Sequence, residues 1–380
     1  MLISSSIPTA VPGSLVRICF GRGQLNHLGE LAAIEGGHRI LLVTDPGIVA
    51  AGHADRAAHS LRHAGIETIV FAGVQENPST IQVEAGLALA REHEVDFIVG
   101  LGGGSSMDCA KGINFLLTNG GTMRDYWGVG KAAKPMLPLI AIPTTAGTGS
   151  DAQSFALITD PATHQKMACG DHKALPRLAI LDPDLTATCP FAVAAATGID
   201  AVAHAVETAG CNKRTDTSRR LSREAWGLLQ PSLAPALYDP AAALARERML
   251  LGAHIAGAAI QNSMLGAAHA CANPLTAKFG IVHGIAVGLM LPHVVRFNTQ
   301  DANSYADLDP DPAHLLRTLS DLLTAARIPA SLREMNVPES ALPELASLAA
   351  TQWTATFNPR AVAAPEFLEI YQNAFSANAP

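Results

Sequence analysis

The stretch DFIVGLGGGSSMDCAKGINFLLT, residues 96–118, decides how the front of this chain folds. A short apolar, β-rich run meets three glycines and two serines, and a helical run follows. Glycines at such a turn let the backbone approach a ligand closely, and the N-terminus of the next helix favours a phosphate. A tight strand-to-helix turn needs glycine in any case, so a plain turn is the competing reading. The spacing is not the G-x-G-x-x-G of the usual dinucleotide fold. The setting between strand and helix favours a phosphate cradle.

The same alternation extends outward on both sides. HRILLVTD (38–45) and ETIVFAGV (67–74) read as strands, each followed by a helical run, AGHADRAAHSLRHAG and STIQVEAGLALAREHE. PLIAIPTTAGTGS (138–150) reads as a fourth strand and loop, and RLAILDPDL (177–185) as a fifth. Alternating units of this kind predict a mostly parallel sheet covered by helices on both faces. Past about residue 186 the strand runs stop and alanine-rich amphipathic segments take over, beginning with PFAVAAATGIDAVAHAVETAG. The expectation is an α/β dinucleotide-binding domain over 1–185 and an all-helical metal and substrate domain over 186–380. The boundary falls at the proline-punctuated LDPDLTATCP. A cleft between two such domains is a favoured place for a ligand.

The length of 380 residues suits about two domains. With 48% apolar and 16% charged residues the chain reads as globular, and a net charge of −7 offers no basic footprint for nucleic acid. The six cysteines, Cys19, Cys109, Cys169, Cys189, Cys211 and Cys271, show no paired spacing. They read as free thiols in a reducing, cytoplasmic compartment. The opening MLISSSIPTAVPG lacks a basic region and a long apolar run, so no signal peptide is expected. No apolar stretch reaches about 18 residues without a polar break or proline, so no membrane span is expected.

Four residues stand out in the second half. Asp200 and His204, in TGIDAVAHAVE, are four apart and share one face of a helix. His269 and His283 lie in MLGAAHACANPLTAKFGIVHG. An aspartate among alanines is costly to bury unless it is paired or metal-bound. One carboxylate and three imidazoles suit a divalent ion such as iron(II), or alternatively zinc, and suit neither calcium nor a thiolate-bound metal. Pro274 and Gly280 are expected to break the helix between the two later histidines. His254 and His293 read as core residues.

Smaller signals fall in the first half. PTTAGTGSD (143–151) offers hydroxyls and backbone donors after a strand, and reads equally as a polar turn. Asp45 closes a strand, where a carboxylate binds a ribose 2′-hydroxyl and repels a 2′-phosphate, favouring NAD over NADP. A cap before Pro46 and Gly47 is the alternative. Lys166 reads first as a surface lysine and Asn77 as a turn residue, with cofactor contact second for each.

Together these motifs resemble the iron-containing (group III) alcohol dehydrogenase family nearly from end to end. FGRGQLNHLGEL, GGGSSMDCAK, PTTAGTGSD, LDPDLTATCP, ATGIDAVAHAVE, HGIAVGLMLPHVVRFN and FNPRAVAAPEFLEIY carry the resemblance. It implies a dinucleotide domain before a helical metal domain, and interconversion of alcohols and aldehydes with NAD(P). Asp200, His204, His269 and His283 fall at the family's metal ligands. Gly103, Gly104, Ser105, Ser106 and Asp108 fall at its cofactor cradle, and Thr144, Thr145 and Thr148 at its second cofactor loop. Asp45, Asn77 and Lys166 fall at further cofactor contacts.

The chain departs from that pattern at Asn273, where many members carry a histidine assigned to substrate contact or proton relay. Asparagine hydrogen-bonds but does not titrate near neutral pH. Asp151 and Ala152 replace a usual Glu-Val. The expected activity is metal-dependent hydride transfer between NAD(H) and a small alcohol or aldehyde, by a homodimer or higher homo-oligomer. A glycerol dehydrogenase-like or dehydroquinate synthase-like NAD/zinc enzyme is the nearest rival. A protein that keeps NAD only as a structural ligand is a more distant one.

Overall fold

The computed structural model describes residues 5–163, 165–300 and 302–376. Residues 1–4, the start of the segment read for a signal peptide, lie outside them. The chain divides into two compact units. One is Met1–Thr145 with Gly149–Cys189, and the other is Ala146–Thr148 with Pro190–Pro380.

The first unit carries β1 (Ser5–Ala10), β2 (Arg17–Phe20), β3 (Arg39–Val43), β4 (Glu67–Phe71), β5 (Phe97–Gly102), β6 (Gly128–Val129), β7 (Leu139–Pro143), β8 (Phe155–Asp160), β9 (Gln165–Gly170) and β10 (Leu178–Leu181). Its helices are α1 (Leu28–Ile34), α2 (Pro46–Ala50), α3 (His53–His63), α4 (Thr80–Glu92), α5 (Gly104–Asn119) and α6 (Pro183–Thr186). The main sheet has the order β1-β2-β10-β7-β5-β3-β4. Every neighbouring pair is parallel except β1 with β2. Side chains alternate across a strand, and the buried clusters follow that alternation. Ile40, Leu42, Phe97 and Val99 pack with Leu28, Leu31, Ala57 and Leu61 of α1 and α3. Leu41, Val43 and Ile98 pack with Val83, Leu87, Met107 and Ile113 of α4 and α5. The parallel sheet with helices on both faces agrees with the sequence pattern.

Two features correct that reading. The β1–β2 hairpin adds an antiparallel edge that the proline-containing opening did not suggest. A second, three-stranded sheet, β6-β9-β8, arises from segments that the sequence reading left without strands. Here β8 and β9 form a hairpin in register from Phe155 opposite Gly170 to Asp160 opposite Gln165.

The second unit is helical: α7 (Phe191–Gly210), α8 (Asp216–Leu229), α9 (Leu233–Tyr238), α10 (Ala243–Gln261), α11 (Ala267–Phe279), α12 (His283–Asn298), α13 (Pro312–Ala325), α14 (Leu342–Ala350) and α15 (Ala364–Phe375). α7 is buried almost continuously from Ala195 to Gly210, packed among its neighbours α8, α10 and α12. Its many alanines allow that crowding. α11 runs straight through Pro274 and ends at Gly280 in a left-handed cap, so of the two expected breakers only the glycine acts. Proline withholds a single N–H, and the helix continues around it. His254 and His293 are buried, at 0% and 8% exposure. Among the described residues no helix is long and apolar enough to cross a membrane.

Candidate functional site

In the second unit, α7 presents Asp200, His204 and Glu207 at positions i, i+4 and i+7, one face of one helix. α11 contributes His269 near its start, and His283 opens α12. Three imidazole nitrogens converge on one carboxylate oxygen. His204 Nε2 lies 3.5 Å from Asp200 Oδ1, His269 Nε2 3.4 Å and His283 Nε2 3.9 Å. Ligand atoms of Asp200, His269 and His283 all lie within 4.8 Å of one another. His204 joins them through Asp200 and stacks on His269 with ring centroids 5.1 Å apart.

Helix packing sets this convergence. Gly284, next to His283, sits so close to α7 that a Cβ there would lie 2.1 Å from the Ala196 carbonyl oxygen. One turn on, a Cβ at Gly288 would lie 2.5 Å from Ile199 Cγ2. Two glycines therefore let α12 touch α7 and bring His283 to Asp200.

The cluster fits a divalent ion. Asp200 Oδ1 and His269 Nε2 are buried yet have no hydrogen-bond partner. Ligand atoms about 2.0–2.1 Å from a tetrahedral ion stand about 3.3–3.4 Å apart, close to the separations found. Burial by itself would raise the Asp200 carboxyl, but the His204 imidazole and the other two histidines outweigh it and hold it below the usual carboxylate range. Burial works against a proton on His269, but Glu207 and Asp200 overcome it and push His269 up to about 9. Charges that hold a proton so firmly also attract a cation. The His283 side chain keeps 27% of its surface exposed, against 6% or less for Asp200, His204 and His269. The cluster is therefore open on one side, as a catalytic ion requires.

Behind the cluster stands Glu207, which was not singled out in the sequence. Its Oε2 meets His269 Nδ1 at 2.5 Å, and its Oε1 accepts the Ala268 N–H at 2.7 Å. The i+7 spacing from Asp200 was the available signal. Asn273, one turn beyond His269, donates its amide to Gln352 Oε1 at 3.0 Å. Gln352 was also not anticipated.

In the first unit the cradle forms at the carboxyl ends of three adjacent parallel strands, where open α/β sheets bind ligands. Asp45 follows β3, Gly103 follows β5 and Thr144 follows β7. Gly102 adopts φ +149, and a Cβ there would lie 2.5 Å from Ser106 Oγ and 3.0 Å from Asp45 Oδ2. α5 begins at Gly104 with Gly103 as an N-cap that offers no side-chain hydrogen bond, so no cap side chain occupies the start of the helix. The buried Thr145 hydroxyl, without a partner, lies beside Gly103. These features fit a pyrophosphate.

Asp45 acts as the cap that was the alternative reading of its position, and it also reaches the cradle. Its Oδ1 accepts from Gly47 and Ile48, capping α2, while its Oδ2 accepts from the Ser106 hydroxyl at the cradle. Lys166 Nζ donates to Asn77 Oδ1, and the Asn77 N–H donates to Ser105 Oγ, so these three also meet. Asp108 stands apart. Its oxygens accept from the Ser150 hydroxyl and the Leu157 N–H inside the unit. The buried Lys111, one turn on, donates to Ser150, Gln153 and Phe155 and pins the same segment. Thr148 belongs to the second unit.

Known proteins match both halves of the chain. The family model described as "Iron-containing alcohol dehydrogenase" matches residues 16–183, and that described as "Fe-containing alcohol dehydrogenase family, C-terminal" matches 194–375. The chain is 34% identical over 372 residues to the 1,3-propanediol dehydrogenase of Klebsiella pneumoniae, covering 94% of this chain and 96% of that protein. The crystal structure of a 1,3-propanediol oxidoreductase superposes with a TM-score of 0.89 at 32% identity, covering 94% of this chain and 97% of the other. A sulfoacetaldehyde reductase from Bifidobacterium kashiwanohense, solved in complex with NAD+, gives a TM-score of 0.88 at 28% identity, covering 97% and 98%.

Proposed function

The chain belongs to the iron-containing alcohol dehydrogenase family, and from that premise we propose which residues do its chemistry and with which cofactors. Its activity is that of an alcohol dehydrogenase or aldehyde reductase. Asp200, His204, His269 and His283 are the proposed holders of a divalent ion, iron(II) first and zinc as the alternative the same donors accept. The observation that carries this is a buried, unpartnered carboxylate oxygen with three imidazole nitrogens 3.4 to 3.9 Å away. When bound, the ion supplies Lewis acidity toward a substrate oxygen, and the dinucleotide supplies or accepts the hydride.

The protein's own groups position and tune. Asp200 would neutralise one charge of a divalent ion held there and leave the centre positive. Gly103, Gly104, Ser105, Ser106, Thr144, Thr145 and Thr148 are the proposed cofactor contacts, with Asn77 and Lys166 beside them. Asp45 places a carboxylate at the cradle, which favours NAD over NADP. Asn273 is the proposed substrate contact. Its amide N–H is given to Gln352, its side-chain oxygen is an acceptor suited to a substrate hydroxyl, and it moves no proton. Six free cysteines fit a reducing, cytoplasmic setting. A homo-oligomer is the proposed assembly, and the Ile7 side chain, 74% exposed on β1 at the end of the main sheet, is a candidate contact.

The test strips the protein of metal and reloads it with iron(II), zinc or manganese in turn. NAD and NADP reduction is then followed across a panel of small alcohols, with His283→Ala in parallel. Turnover that depends on the ion and collapses in the variant is the expected result. Absence of cofactor reduction with every ion and alcohol, or full activity in metal-free His283→Ala, overturns the proposal.

A further inference from the structure

We infer that Glu207 is a positioning residue that makes His269 a ligand and ties the ion to the seating of α11. The inference rests on the proposal that an ion binds at Asp200, His204, His269 and His283. Glu207 is 4% exposed and lies on the same face of α7 as Asp200 and His204. A carboxylate only accepts hydrogen bonds, so the His269 Nδ1 that meets its Oε2 must carry a proton. A neutral imidazole has one N–H, and placing it on Nδ1 leaves the lone pair on Nε2. That Nε2 is the buried, unpartnered nitrogen 3.4 Å from Asp200 Oδ1.

The other oxygen of Glu207 has a second task. α11 starts after Gly266, which has no side chain with which to cap it. The Ala268 N–H is instead taken by Glu207 Oε1 at 2.7 Å, and the Ala267 N–H by Asn358 Oδ1 at 3.4 Å. A Cβ on Gly266 would stand 3.2 Å from that Glu207 oxygen and 3.3 Å from Asn358 Oδ1, so glycine keeps room for both acceptors. One carboxylate thus holds the start of the helix and the imidazole that the helix carries.

Glu207→Gln separates this role from volume. The amide has one acceptor and one donor group, and the site asks for two acceptors. If its oxygen stays on Ala268, its NH2 faces His269 Nδ1 and drives the imidazole proton to Nε2, where it blocks the ligand position. If the amide turns over, the NH2 faces the Ala268 N–H and the helix loses its cap. Groups that orient a metal-bound histidine in this way commonly change metal affinity 10–100-fold when removed.

The experiment measures zinc affinity by chelator competition on folded wild-type, Glu207→Gln and Gly266→Ala proteins. Amide hydrogen exchange at the start of α11 is followed in the metal-free forms. Expected results are a 10–100-fold weaker zinc affinity in Glu207→Gln, a loss in the same direction in Gly266→Ala, and NAD affinity unchanged in both. A role in stability alone would lower the melting temperature and leave the zinc affinity of the folded variants untouched. Zinc affinity within twofold of wild type in Glu207→Gln overturns the inference. If that variant does not fold, wild-type affinity in Gly266→Ala overturns it. Failure of the wild-type protein itself to take up any divalent ion would instead remove the underlying proposal.

Discussion

Gly284→Ala asks whether packing between α7 and α12 sets the ligand geometry. The added Cβ would fall 2.1 Å from the Ala196 carbonyl oxygen and 2.7 Å from the carbonyl carbon. Carbon atoms rest about 3.5–4.0 Å apart, so α12 must retreat by about 1 Å. Its next turn is also closely packed, with a Cβ at Gly288 falling 2.5 Å from Ile199 Cγ2, so it cannot pivot freely there. Metal–ligand distances tolerate only about 0.2 Å of change. His283, adjacent to the substitution, therefore leaves the cluster, and four donors become three. Overpacking of this kind costs about 1–3 kcal/mol. Gly227→Ala on α8 is the internal control, because a Cβ there meets nothing within 4 Å. It should gain about 0.5–1 kcal/mol from helix propensity. The assay pairs chemical unfolding of the metal-free proteins with zinc affinity by chelator competition. Gly284→Ala should lose stability and zinc affinity together while Gly227→Ala gains the one and keeps the other. Wild-type zinc affinity in a Gly284→Ala protein would refute the claim that packing places His283.

Two further outcomes follow from the same geometry. Asp45→Asn keeps a residue that caps α2 as well as aspartate does but removes the charge at the cradle. Unit charges 4 Å apart interact with about 1–4 kcal/mol between water-like and surface screening, so kcat/KM for NADP relative to NAD should rise about tenfold or more. An unchanged ratio would mean that Asp45 does not select the cofactor. His293 is held at about 4, below its ordinary 6.5, by burial and then by the Arg296 charge. The unfolded chain therefore binds a proton that the folded chain refuses, and stability falls as pH drops from 6.5 toward 4. That loss is about 2 kcal/mol by pH 5. Urea unfolding of His293→Gln should show that part of the slope gone, and identical slopes in both proteins would count against it.

The parts of this molecule legible in sequence are those whose signal is local. Five strands announced themselves by apolar runs closing on glycine, proline or aspartate. The helical half showed in its alanine-rich periodicity, and Asp200 with His204 in a four-residue spacing. The parts that were not legible depend on distant partners. β2 becomes a strand because it lies beside β10, about 160 residues later. FALITD and QKMACG pair only once a short turn folds them together. Glu207 had the right spacing, but a glutamate on a helix reads as solvated until His269, 62 residues on, is seen against it. Gly284 reads as a helix-start glycine until Ala196 is placed 2.1 Å from its missing Cβ.

The alanines of α7 and its three polar residues are one design problem. A helix packed by α8, α10 and α12 cannot carry large side chains on every face, and small ones leave polar neighbours nothing apolar to hide behind. Asp200, His204 and Glu207 are tolerated at 4%, 3% and 4% exposure because Asp200 faces His204 and His269, and Glu207 is answered by His269 and the Ala268 N–H of α11. Break one answer and a charge is stranded in a dry interior, where an unpaired ion costs several kcal/mol. A divalent ion bound here, as proposed, would complete the set by taking the lone pairs at Asp200 Oδ1 and His269 Nε2. Metal binding and stability of the helical unit are thus coupled through the same atoms. Loading the site should raise the melting temperature of this unit, and the rise should grow with the logarithm of ion concentration over Kd; a melting temperature that does not respond to the ion would refute the coupling.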